Sequence, residues 1–388
     1  MSTPGPKSKK AENNTGAETS ISALRSQIDQ IDLSLLKLLD QRAGIVKQVG
    51  ELKKKQNRRI HDPSREQEIL AKMVKETHPN LLNAEVKNLF QSLISFFRTI
   101  EAAHTVRSSV TALPNKCKVG FLGFGLIGAS IGLALKNHFS EWTFLIVDPN
   151  INPSEFEIWC TAQNVTNFKL ISDENLKACD FVFLCAPISI NDENAVQISK
   201  QNQLTLNAGS VLTDYSSVYG FHPLTGKEQT SFHSAQDDLF FGKTICLTNT
   251  EQLAPEQLSR IKNLVSALGA NAWIGNTTHH NEKLAHSSHL IQVLAMAFGA
   301  SLTHQTWDGD YDLLPTNAKN LLRLTGSSFE MWAPIFEKNK FFILKAIEEL
   351  SKELHKIESN IKNKEGIKDL FTESFKVYQT IYHKGKST

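Results

Sequence analysis

Between Ile21 and Leu52 apolar residues recur mostly at steps of three and four, at Leu24, Ile28, Ile31, Leu35, Leu38, Ile45 and Val49, which predicts one long amphipathic helix ending near Asn57. His61-Asp62-Pro63 supplies a capping residue and a proline suited to a first helical position, and Ile69, Leu70, Met73 and Val74 form the inner face of the second helix it opens. Pro79 closes that helix at or before His78. A third helix carries Val86, Leu89, Phe90, Leu93, Phe97 and Ile100. At about 37 residues the first helix would span ~55 Å, more than a three-helix unit needs, so part of its apolar face is expected to meet a second chain.

The texture changes after residue 116. Short apolar runs at 118–122, 143–148 and 181–185 alternate with helical stretches, the pattern of a doubly wound parallel sheet. From about Glu256 helical periodicity returns, and Ile343, Ile347, Leu350, Leu354, Ile357 and Ile361 step by four and three, spacing suited to helix packing between subunits. The expected organisation is a disordered lead over 1–19, an all-α three-helix domain over 20–105, a linker over 106–116, a Rossmann-like α/β dinucleotide-binding domain over 117–255 and an all-α substrate and dimerisation domain over 256–388.

Composition narrows the function classes. A formal charge of +2 with 21% charged and 40% hydrophobic residues describes a globular chain with no basic excess for nucleic acid. No apolar run is long enough to span a membrane and none near the N-terminus resembles a signal peptide, so a cytoplasmic location is expected. The five cysteines are scattered and without C-x-x-C spacing, which argues against a disulfide framework and against a metal site.

Gly123-Phe-Gly125-Leu126-Ile127-Gly128 follows one predicted strand and opens a helix, and Asp148 ends the next strand. In that order Gly123 permits a tight turn, Gly125 admits a pyrophosphate to the backbone of Leu126 and Ile127, and Gly128 lets helix and strand approach. Asp148 would accept from ribose hydroxyls and repel a 2′-phosphate, so the expected cofactor is NAD rather than NADP.

On the first helix Arg42 and Lys53 fall on one face ~16 Å apart, and Arg25 lies on another face ~25 Å further along. Spacing alone favours a solvated basic face over an anion site. Leu-Arg25-x-x-Ile-Asp, Leu-Asp-Gln-Arg42, Glu-Leu-Lys53, Asp62-Pro-Ser-Arg65-Glu66 and Glu101 together, however, resemble the all-helical chorismate mutase family across residues 20–104. The resemblance implies an intertwined homodimer in which Arg25 (from across the interface), Arg42 and Arg65 bind carboxylates. It implies that Lys53 and Glu101 hydrogen-bond the breaking ether oxygen, with Asp62 and Glu66 near the substrate hydroxyl and backbone. Phe97 departs from the pattern, since relatives often have a small polar residue there.

Gly220-Phe-His222-Pro223, Gly226-Lys-Glu228, Asp238-Leu-Phe-Phe-Gly242, His280-Asn281, Ser288-His289-Leu290, Leu322-Arg323-Leu324 and Glu330-Met331-Trp332 resemble prephenate and arogenate dehydrogenases over about 117–345. The resemblance implies that His222 accepts a hydrogen bond from the substrate's ring hydroxyl, that Arg323 holds a carboxylate, and that Ser217, Glu228 and His289 line the pocket. Two departures accompany it. Thr213 to Ser217 matches the end of a family strand with only four residues before His222, too few for a parallel crossover, so either a strand is lost or the strand order is altered. Ile291-Gln292 stands where Pro-His is usual. The expected function is a bifunctional enzyme of tyrosine biosynthesis that takes chorismate through prephenate to 4-hydroxyphenylpyruvate. The alternatives are a mutase with a degenerate dehydrogenase-like domain and a non-enzymatic sensor of NAD or an aromatic metabolite; prephenate and arogenate stay open as substrates.

Overall fold

The structure, a computed structural model, describes residues 21–56, 63–76, 79–110, 113–172, 176–226, 229, 231–304 and 310–383. The N-terminal unit consists of α1 (Ile21–Lys55), α2 (Pro63–Lys75) and α3 (Asn83–Val110), with α1 and α2 both packed on α3. α3 runs through the expected linker to Val110 because nothing between 105 and 110 breaks a helix; the first proline beyond it is Pro114. The core of this unit is thin, with Val86, Ile94 and Phe97 buried, while Leu24, Ile28, Ile31, Leu35, Leu38, Ile45, Val49 and Leu52 on α1 are all exposed.

The central unit alternates strands and helices: β1 (Lys118–Leu122), α4 (Leu126–Lys136), β2 (Thr143–Val147), α5 (Pro153–Ala162), β3 (Phe168–Leu170), β4 (Phe181–Leu184), α6 (Ile188–Ser199), β5 (Thr205–Asn207), β6 (Val218–Pro223), β7 (Thr244–Thr248), α7 (Pro255–Ala267) and β8 (Asn271–Ile274). They form one eight-stranded sheet in the order β3-β2-β1-β4-β5-β6-β7-β8. β1 to β6 are mutually parallel, and β7 and β8 run the other way. Sheets covered on both faces need strands apolar on both faces. β4, Phe-Val-Phe-Leu, meets that demand with every residue buried; its Phe183 stacks on Phe121 and meets Phe221 edge-on, and Phe121 stacks in turn on Phe144. The expected divide at 255/256 falls inside this unit, because α7 leads into β8, which completes the sheet beside β7.

The expected loss or reordering of a strand before His222 is not found. The strand in question is β5, earlier than the sequence pattern placed it, and residues 208–217 carry the chain to a parallel β6 in register Thr205↔Val218 without any helix. The short path is possible because the segment is anchored from outside. The Leu212 backbone pairs with the Asn281 side chain, Thr277 donates to Asp214, and Asn249 donates to the carbonyls of Tyr215 and Val218.

The C-terminal unit is helical: α8 (Thr277–Leu284), a π-helical turn (Ala285–His289), α9 (Leu290–Leu302), α10 (Thr316–Arg323), α11 (Phe329–Lys338), α12 (Lys340–Asn363) and α13 (Ile367–His383). Ile343 at the start of the α12 stripe is buried, whereas Leu354, Ile357 and Ile361 further along are exposed. Among the described residues no helix is long and apolar enough to cross a membrane, no cluster could hold a metal ion, and all five cysteines are free.

Candidate active sites

The first site lies where α1 crosses α3. Lys53 and Glu101 form an ion pair at 2.9 Å, and Glu101 is buried. One helical turn earlier on α3, Phe97 lies under the Arg42 guanidinium, 4.0 Å from ring centre to Cζ. The apolar residue at the family's polar position thus holds the arginine by its π-face. Arg42 Nη1 is buried and has no hydrogen-bond partner among the described residues, a donor left for an anion. Glu66 on α2 pairs with Arg98 on α3 at 3.1 Å, and the exposed Arg65 pairs with Glu68. Arg25 is exposed near the start of α1, well away from Lys53 along the helix, so any contact with this site requires a second chain. Asp62 lies outside the described residues.

The second site is at the carboxyl ends of the parallel strands, where open α/β sheets bind ligands. Gly123 has φ +82°, and a Cβ there would collide with the backbone of Ala186; a Cβ on Gly128 would sit 2.7 Å from the Gly123 carbonyl. No side chain caps α4 at Gly125, which leaves the first-turn N–H groups of Leu126, Ile127 and Gly128 for an anion. Asp148, just beyond β2, accepts from the backbone N–H of Phe124 at 2.9 Å, so the acid stands against the glycine turn. Backbone donors, a surface free of Cβ atoms and an acid at the strand end together fit a dinucleotide.

His222, near the end of β6, is buried, and its Nδ1 lies 2.9 Å from Nε2 of His280 on α8. His280 Nδ1 is in turn 2.9 Å from Asn281 Oδ1. Burial, with His280 and His289 adding to it, pushes the His222 imidazole down to about 3, and burial with His280 pushes His289 down to about 4, so both rings are neutral. His289 sits in the π-helical turn, edge-on to Trp332, with Nδ1 3.0 Å from Asn339 Nδ2. Gln292, a turn beyond His289, donates to the Leu324 carbonyl and ties the end of α10, next to the exposed Arg323, to the helix that carries His289.

Ser217 is not part of this cluster. It precedes β6 in an exposed turn with φ +61°, and His222 lies at the other end of the strand, ~16 Å away at ~3.3 Å per residue. The serine that the chain carries to the carboxyl edge is Ser210, just after β5; the sequence reading overlooked it because it placed the strand end too late. Glu228 lies outside the described residues. His280, Asn281 and Asn339 belong to the cluster although the sequence singled out none of them as a site residue.

Comparisons with known proteins agree with this division. The family model "Chorismate mutase type II" matches residues 24–102, "Prephenate dehydrogenase, nucleotide-binding domain" matches 131–274 and "Prephenate dehydrogenase, dimerization domain" matches 276–377. The prephenate dehydrogenase of Lactococcus lactis subsp. cremoris is 25% identical over 69% of this chain and 78% of its own length. The T-protein of Haemophilus influenzae is 22% identical over 79% of this chain and 74% of its own. The crystal structure of Aquifex aeolicus prephenate dehydrogenase in complex with hydroxyphenyl propionate and NAD+ superposes with a TM-score of 0.61 at 23% identity, over 68% of this chain and 98% of that one, a likeness of fold.

Proposed function

The chain joins a type II chorismate mutase to the nucleotide-binding and dimerization domains of a prephenate dehydrogenase, and from that premise we propose which of its residues carry each reaction. It is a bifunctional enzyme of tyrosine biosynthesis: chorismate rearranges to prephenate in the helical unit, and prephenate is oxidised and decarboxylated in the rest of the chain.

The rearrangement is pericyclic, so it needs a dianion held in its reactive conformer and donors for the charge that develops on the ether oxygen, and no nucleophile. Arg42, with its buried unpaired nitrogen, binds one carboxylate; Arg65 and Arg25 of the second protomer complete the anion site. Lys53 donates to the ether oxygen, and Glu101, when protonated, donates beside it. Asp62 and Glu66 serve the hydroxyl end. The exposed apolar stripe of α1 supports a homodimer through this unit, in which a second copy covers Leu24 to Leu52.

For the oxidation, the turn from Gly123 to Gly128 would hold the pyrophosphate of NAD and Asp148 its ribose. The bound cofactor would supply the acceptor for a hydride from the hydroxyl-bearing carbon. His222, neutral and at the strand end, accepts the hydrogen bond of that hydroxyl, while Arg323 and His289 hold substrate oxygens. Loss of the ring carboxylate as CO2 leaves an aromatic ring, which makes the step strongly downhill.

The observation that carries this reading is His222, buried and neutral, hydrogen-bonded to His280 at the same sheet edge as the glycine turn. His222→Asn is expected to lower kcat for NADH formation from prephenate by about 10² to 10⁴, the usual range for a general acid or base, with mutase activity unchanged. A variant as fast as wild type would remove His222 from the reaction.

A further inference from the structure

His222 and His289 each have one ring nitrogen committed inside the protein and His280 has both, and the partners fix which nitrogen carries hydrogen. The Leu212 N–H donates to Asn281 Oδ1 at 3.2 Å, and Asn281 Nδ2 donates to the Leu212 carbonyl at 2.8 Å. Turning the amide over would set NH2 against N–H and carbonyl against carbonyl, so its orientation is fixed. His280 Nδ1 lies 2.9 Å from that same oxygen and must carry the hydrogen. Burial lowers the His280 pKa and so favours the neutral ring, whose Nε2 is then bare and accepts from His222 Nδ1 at 2.9 Å. His222 Nε2 is therefore left without hydrogen.

Asn339 acts on the other histidine. It is buried, and its Nδ2 donates to the Asn281 carbonyl at 2.9 Å and faces His289 Nδ1 at 3.0 Å. His289 Nδ1 is thus the acceptor, and its hydrogen sits on Nε2. That nitrogen is buried and has no partner among the described residues, a costly omission unless a ligand fills it.

We propose that Asn281 and Asn339 are positioning residues that give the two histidines opposite polarity, presenting His222 Nε2 as a bare acceptor and His289 Nε2–H as a donor. The matching ligand places a hydroxyl on the first and a carboxylate or carbonyl oxygen on the second. The proposal rests on the reading of His222 as the group that meets the hydroxyl, and it gives the helix-free crossover a purpose: Leu212, the residue that clamps Asn281, lies within it. Among the described residues, the three rings are shifted by burial, by one another and by the Asn281 amide, with no carboxylate among the causes.

The test reads the tautomers directly, from ring-nitrogen NMR of the full chain labelled with 15N-histidine at pH 7 and assigned with His222→Asn, His280→Gln and His289→Asn. The expected spectrum has His222 and His280 as neutral Nδ1–H forms and His289 as a neutral Nε2–H form. Asn281→Leu should mix the forms of His280 and His222 and lower kcat for prephenate oxidation at least tenfold with little change in KM for NAD. Asn281→Asp keeps the acceptor but adds a charge that favours protonated His280, so the acid limb of kcat/KM should move toward neutral pH, a shift that a merely structural role would not produce. Finding His222 in the Nε2–H form in the wild type, or an unchanged ring pattern in Asn281→Leu, would overturn the proposal. The wild-type spectrum decides even if a variant fails to fold. It also separates this proposal from the functional reading, which fails if His222→Asn retains full dehydrogenase activity whatever the tautomers.

Discussion

Acidification from pH 7 to pH 5 should destabilise the dehydrogenase half through its buried imidazoles. In the folded chain His222 is held at about 3 and His289 at about 4, against an ordinary value of 6.5. Once unfolded, both rings take up protons as the pH falls through 6.5, while the folded rings stay neutral to well below pH 5. The unfolded state therefore binds more protons over this window, and stability that is fully present above pH 6.5 is lost as the pH falls toward the folded values. Between pH 7 and 5 the loss is about 2 kcal/mol for each ring, so ~4 kcal/mol for the pair. That is a large share of the ~5–15 kcal/mol that holds a typical domain together. Urea unfolding followed by tryptophan fluorescence is suited to the measurement, since Trp332 lies edge-on to His289. The midpoint should fall sharply from pH 7 to pH 5 in the wild type, by about half as much in His222→Asn or His289→Asn, and least in the double variant. A double variant with the full wild-type pH dependence would refute the assignment of neutral buried rings.

Lys53→Ala should cut mutase turnover by about 10² to 10³, the usual cost of one transition-state donor, and leave oxidation of supplied prephenate intact; loss of both activities in a folded protein would contradict separate sites. Asp148→Ala should weaken NAD more than NADP in binding titrations, because the carboxylate accepts from the ribose and repels a 2′-phosphate; equal losses would remove it from the ribose site. Ser210→Ala should slow prephenate oxidation and Ser217→Ala should not, since only Ser210 is carried to the carboxyl edge; the reverse ranking in steady-state NADH assays would contradict the placement of β5.

What could be read from the sequence was local. The glycine turn, its helix and Asp148 belong to one βαβ unit, and the structure joins the two ends of that motif through the Phe124 N–H. The stripe on α1 was legible because a 3.6-residue period persists over many turns, and in the single chain it is exposed. β5 was missed for the opposite reason. It has only three residues, and Thr205 and Asn207 are polar yet buried, so it gives no apolar run to find. With β5 unseen, the stretch ending at Ser217 was taken for the strand, and the crossover appeared shorter than it is. Asn281 was legible only as part of a matching motif and Asn339 not at all, because Leu212, Asn281 and Asn339 act together only once three separate segments meet, and an asparagine in isolation suggests a cap or a turn. Gln292 looked like damage to a motif, whereas in the fold its amide ties the helix of His289 to the end of α10.

The most direct measurement supplies chorismate and NAD to the purified full-length protein and follows absorbance at 340 nm together with the loss of chorismate. The account expects NADH to appear after a short lag, as prephenate accumulates and is consumed, with the NADH finally formed matching the chorismate used. Chorismate consumed with prephenate accumulating and no NADH would contradict it, and would leave a mutase joined to a dinucleotide fold that does not oxidise its product.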